Sequence, residues 1–120
     1  MTRSGSSGED LAARFLSERG YRIVARNWRA GRQGELDIVA RDGSTLVIVE
    51  VKTATGSTFG HPVSWVTPRK MRRLAALAEA FLAEHTEPAD AVRFDVIAVD
   101  ARKRPPDIVH LTDAFRPAGA

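Results

Sequence analysis

Residues 34–52, GELDIVARDGSTLVIVEVK, constrain the fold more than any other stretch of this chain. Two β-rich runs, 34–41 and 44–52, flank Asp42-Gly43. An Asp-Gly pair between apolar runs is a strong hairpin signal. In a hairpin turning there, paired residue numbers sum to an odd value, 85 or 87 for the short loops considered. Odd positions of the first run then face the same way as even positions of the second. Glu35 and Asp37 are thereby expected on one face with Glu50 and Lys52. Acids are poor strand formers, and like charges across a strand pair are destabilising. Their same-face neighbours Val39, Leu46 and Ile48 are apolar, so the face is partly buried. Carboxylates in such a place need a partner or become neutral. A hard divalent cation is the partner that an all-oxygen ligand set suits. The plainer reading, Glu50 and Lys52 on a solvated strand and Asp37 paired with an arginine, stands beside it.

The rest of the chain supplies elements around this hairpin. Residues 6–19 read as a helix with Leu11, Ala12, Phe15 and Leu16 on its apolar side and Gly20 as its stop. Ser6 and Glu9 have capping-box spacing. Residues 21–28 read as a strand and 53–66 as a loop. Thr67-Pro68 caps a second helix running to about residue 86, with the stripe Met71, Leu74, Leu77, Ala78, Phe81 and Leu82. Residues 91–99 form a fourth strand and 107–112 a short fifth. The expected order is α-β-β-β-α-β-(β), an α/β fold with a mixed sheet flanked by helices. The second helix lies between two strands, which permits one parallel crossover.

Composition narrows the function classes. A chain of 120 residues, 43% hydrophobic and 28% charged, suits a single domain, with a core spanning about 6–113 and frayed ends. With no cysteine, disulfides, thiolate metal sites and thiol nucleophiles are excluded, and a reducing cytoplasm is the expected location. The opening residues lack a signal-peptide apolar region, and no apolar run is long enough to cross a bilayer. Net charge is +3, with fifteen arginines against three lysines. Arginine suits phosphate through its planar fork, although a genome rich in arginine codons explains the bias equally well. Arg69, Lys70, Arg72 and Arg73 crowd the first turns of the second helix, where cations oppose the helix dipole. A nucleic-acid backbone would relieve that repulsion. Phe59, His61 and Trp65 either stack on bases or anchor their loop to the core. Asp95, inside an apolar strand, is read either as functional or as paired with an arginine.

Asp37 followed after twelve residues by Glu50-Val51-Lys52 resembles the PD-(D/E)xK nuclease motif. The wider string, from GED-LA-RFL-ERGYRIVARNWRAGRQGELDIVARDG-TLVIVEVKT through FGHP and PRK to RFDVIAV, resembles the YraN-like family of uncharacterised bacterial proteins over roughly residues 6–100. The resemblance implies a restriction-endonuclease-like fold, similar to archaeal-type Holliday junction resolvases, and metal-dependent hydrolysis of DNA, branched DNA included. By position it implies Asp37 and Glu50 as metal ligands, the Val51 carbonyl as a third, and Lys52 as the group that orients water or stabilises charge on phosphate. Glu9 matches a helix-borne acid that completes such sites, a reading level with its capping role. Glu35 is a supporting acid. Mg2+ or Mn2+ is the implied cofactor, and a homodimer the implied assembly. A non-catalytic nucleic-acid-binding module that keeps the fold is the rival. Two departures are visible: Leu36 precedes Asp37 where the motif has proline, and Ala54 follows VKT where the family string usually has arginine.

Overall fold

The computed structural model describes residues 6–53 and 65–117, apart from the side chains of Ser6 and Ser7. Phe59, His61, the Ser6 capping bond and the outermost terminal residues therefore lie outside the described residues. The order is α1 (Ser6–Glu18), β1 (Arg22–Arg29), β2 (Glu35–Asp42), β3 (Thr45–Thr53), α2 (Pro68–Glu84), β4 (Ala91–Asp100) and β5 (Asp107–Leu111). The strands form one five-stranded sheet in the order β1-β2-β3-β4-β5. Only β3 and β4 pair in parallel, joined by the α2 crossover; the other neighbours are antiparallel. The mixed sheet, its flanking helices and every expected helix and strand are present; the expected loop over 53–66 lies mostly outside the described residues.

Local chemistry explains the boundaries. Helix α1 ends in a Schellman motif, with Tyr21 N–H donating to Leu16 O and Gly20 N–H to Ser17 O. Gly20 has φ +90°, which a side chain would resist. Thr67 caps α2 by accepting from Lys70 N–H at 3.1 Å, and Pro68 fills the first turn. The β2–β3 register pairs Asp42 with Thr45 and Val39 with Ile48, so the turn residues are Gly43-Ser44 rather than Asp42-Gly43. Gly43 has φ +61° and Ser44 does not share the positive sign, the pattern of a type II′ turn with glycine first. The numbers pair to 87, one of the two expected values.

One helix covers each face of the sheet. Leu74, Leu77, Ala78 and Phe81 of α2 pack on Leu46, Ile48, Phe94 and Val96. On the other face, Ala12, Ala13 and Leu16 of α1 pack on Ile38, Val47, Val49 and Ile97. Burying each large side chain of this kind contributes about 1.5–3 kcal/mol. Trp28 meets Phe81 edge to face and belongs to the α2-side core. No helix among the described residues is long and apolar enough to cross a membrane.

Candidate metal centre at the split between two strands

Five elements meet at one end of the sheet. The C-terminal ends of β1 and β3, the N-terminal end of β2 and the N-terminal turns of α1 and α2 lie there. Strand β2 stays paired with β1 as far as Glu35, but its ladder with β3 ends at Ile38 and Val49. Beyond that pair the strands splay, and Asp37 takes over from the ladder: its Oδ2 accepts the Val51 N–H at 2.9 Å. Extending the register places Asp37 opposite Glu50. Burial pushes the Asp37 carboxyl up to about 7, helped by the negative charge of Glu50 and, less, of Glu9. The Val51 N–H and the Lys70 ammonium pull the other way.

Side-chain alternation holds on β3 and fails at one point on β2. Leu46 and Ile48 face α2, so Glu50 follows on that side, and Lys70 of α2 reaches its Oε2 at 2.8 Å. On β2, Val39 faces α2 and Ile38 and Ala40 face α1, as expected. Leu36, however, faces α2 together with Val39, three residues away, so the alternation slips between them. Glu35 therefore does not share a face with Glu50, which corrects the expectation. Its carboxylate takes Arg29 at 2.9 Å and Asn27 at 2.9 Å, beside Glu9 of α1. The physical cause lies in β1. Asn27, whose register position is opposite Asp37, has φ +52° inside a strand, and this turns both chains out of phase together.

Oxygens of Glu9, Glu35 and Asp37 lie within 4.8 Å of one another. Opposite ligands on one Mg2+ stand about 4.2 Å apart, so a group of this size is on the scale of a single ion's ligand shell. The donor set is all oxygen, and the residues fit a hard divalent cation. Glu9 belongs to this group, because its Oε1 accepts from Asn27 Nδ2 at 2.8 Å. Glu50 stands outside it: its side chain is 6% exposed and ion-paired with Lys70. Asp37 is the hinge between the two sets. Val51 enters through its backbone N–H, and Lys52, two residues past Glu50, makes no ion pair among the described residues.

The basic turn of α2 divides in two. Lys70 points into the site, whereas Arg69, Arg72 and Arg73 are exposed and form no ion pair among the described residues. Asp95 takes its structural reading: fully buried, it accepts two bonds from Arg93, one from Asp113 N–H, and is joined to His110 Nε2 at 2.8 Å. Burial opposes its charge, but these partners together hold its carboxyl below the usual range. Sequence reasoning missed Asn27 and Gly8. Asparagine is depleted in strands and several-fold enriched at positive φ, so Asn27 inside 21–28 carried a readable signal. Gly8 carried none: a Cβ there would sit 2.6 Å from Thr53 Oγ1, a contact between α1 and the end of β3.

The pattern of the Uncharacterised protein family UPF0102 matches residues 8–99. A UPF0102 protein of Acidothermus cellulolyticus is 52% identical, over 92% of each chain. Another from Rhodococcus opacus is 48% identical, over 92% of this chain and 94% of its own. A third, from Beutenbergia cavernae, is 54% identical, over 79% and 80%. The match spans both helix–sheet contacts and every residue of the acid cluster, and the chain belongs to the UPF0102 family.

Proposed function

We propose that this chain is a metal-dependent endonuclease of restriction-endonuclease-like fold that hydrolyses phosphodiester bonds in DNA, branched DNA included. The observation that carries this is the position of Asp37, a partly buried carboxyl between Glu50 on one side and Glu9 and Glu35 on the other. Such crowding of acids is costly without a cation. Asp37 and Glu9 would hold Mg2+ or Mn2+, with Glu50 and the Val51 carbonyl completing the set. When bound, a divalent cation polarises a phosphate oxygen and lowers the pKa of water. Lys52 orients water or stabilises charge on the phosphate, Lys70 is the counter-ion of Glu50, and the exposed Arg69, Arg72 and Arg73 hold the flanking backbone. The cysteine-free composition suits the cytoplasm, and resemblance to resolvases favours a homodimer.

The test is cleavage of linear, branched and single-stranded DNA with and without Mg2+ or Mn2+, using Glu50→Ala as control. Metal-dependent cleavage lost in the variant is the expected result. One observation favours a second reading, a DNA-binding module without catalysis: Glu50 is held by Lys70 and lies outside the group of close carboxylates. Metal-independent DNA binding, with no cleavage of any substrate, would decide for that reading.

A further inference from the structure

Asn27 lies in β1, in register with Asp37, between the paired positions Arg26↔Ile38 and Trp28↔Leu36. Its backbone is left-handed at φ +52°. Its carboxamide Nδ2 donates to Glu9 Oε1 at 2.8 Å and to Glu35 Oε2 at 2.9 Å. One NH2 group has two protons, and here each goes to a carboxylate from a different element. We infer that Asn27 is the positioning residue of this site, drawing the carboxylates of α1 and β2 together beside Asp37 and fixing which of their oxygens face the cation.

The bonding leaves little choice of role. Glu35 is engaged at both oxygens, by Arg29 at Oε1 and by Asn27 at Oε2. It is clamped and acts as a support. Glu9 gives Oε1 to Asn27 and keeps Oε2, which takes no hydrogen bond among the described residues. Glu9 is thus the acid on this side with an oxygen open to a ligand. Two carboxylates so close to Asp37 repel each other; Arg29 lies against Glu35 and Arg26 stands 4.0 Å from Glu9 Oε1, and the neutral Asn27 carboxamide is the donor that the two acids share. The left-handed backbone serves the same end. It turns the Asn27 side chain toward α1, the side on which Arg26 also meets Asp10. Outer partners that orient metal-binding carboxylates typically change metal affinity by about 10–100-fold when removed.

This inference rests on the metal-site reading above, and the experiment separates the two. Mn2+ is titrated calorimetrically into metal-free wild type, Asn27→Gly, Glu9→Gln and the double variant. Glycine accepts the left-handed backbone, so Asn27→Gly removes the carboxamide alone. The expected result is about ten-fold weaker Mn2+ binding in Asn27→Gly, shrinking to almost nothing in the Glu9→Gln background. Wild-type affinity in Asn27→Gly would overturn the positioning role while leaving the metal site standing. No binding by wild type would overturn both. A readout without metal guards against a folding defect: Asn27→Asp has the same size and tolerates the same backbone, but offers an oxygen where the donor was. It is expected to melt below wild type through repulsion from Glu9 and Glu35, and melting with wild type would overturn the bridge.

Discussion

Asp37 concentrates the electrostatics of this site in one side chain. Its carboxyl is raised to about 7, first by burial and then by Glu50. In the unfolded chain the same group titrates near its ordinary value of 3.8. Between these values the folded state holds a proton that the unfolded state has lost. The group's contribution to stability is therefore complete below pH 4 and disappears as pH rises through 7. In a chelating buffer the melting temperature should fall between pH 5 and pH 8, by no more than about 1.4 kcal/mol of stability per pH unit. Asp37→Asn should flatten that fall and melt above wild type at pH 8. A variant tracking wild type across the range would show that the carboxyl titrates normally. The depressed acids Asp95 and Asp100 do not confuse the window, because they act at the acid end. Lys70 belongs to the same charge balance. Its ammonium is the counter-ion of buried Glu50, a more specific task than gripping a backbone phosphate.

At the scale of elements, the site depends on how closely α1 approaches the end of β3. Gly8 makes that approach, with room for no more than a hydrogen where a Cβ would lie 2.6 Å from Thr53 Oγ1. Glu9 is the next residue, so displacement of this turn would carry the site acid with it. In an ordinary helix, replacing glycine by alanine adds about 0.8–1.0 kcal/mol of stability. Here Gly8→Ala should lower the melting temperature instead, and Gly8→Ala combined with Thr53→Ala should recover the loss. A single variant melting above wild type would mean that the helix moves aside freely. The β2–β3 pair is the second determinant. Because β2 leaves β3 after Ile38 yet stays with β1, the splay exposes the Val51 N–H to a side chain instead of a ladder carbonyl.

Across the whole molecule, the fold brings Glu9, Glu35, Asp37 and Glu50 to one end of the mixed sheet and sets an arginine-bearing helix start beside them. The net charge of +3 is small, so affinity for a polyanion must come from placement rather than total charge. Reversing the exposed Arg69 and Arg72 to glutamate should weaken DNA binding. It should also flatten its dependence on salt, by roughly 0.9 in the log–log slope for each phosphate that the variant no longer neutralises. Stability should change little, since neither side chain has an ion-pair partner among the described residues. Unaltered DNA binding would place the nucleic-acid surface elsewhere.

Much of this was written locally. The hairpin, the capped α2 with its apolar stripe, the Gly20 stop and the parallel crossover follow from periodicity and turn chemistry, which depend on near neighbours in the chain. So does the nearness of Asp37 to Glu50, because strands paired through a short turn cannot separate them far, although Glu50 stands outside the group of close carboxylates. The tertiary structure decided the rest. Alternation assigns a face only while a strand stays regular, and the left-handed Asn27 ends that regularity between Leu36 and Val39. Glu35 was thereby turned toward α1, Glu9 was recruited from a helix that sequence places far from the hairpin, and Lys70 was drawn to Glu50. These are contacts between segments distant in the chain. Only helix packing on the two faces fixes such distances.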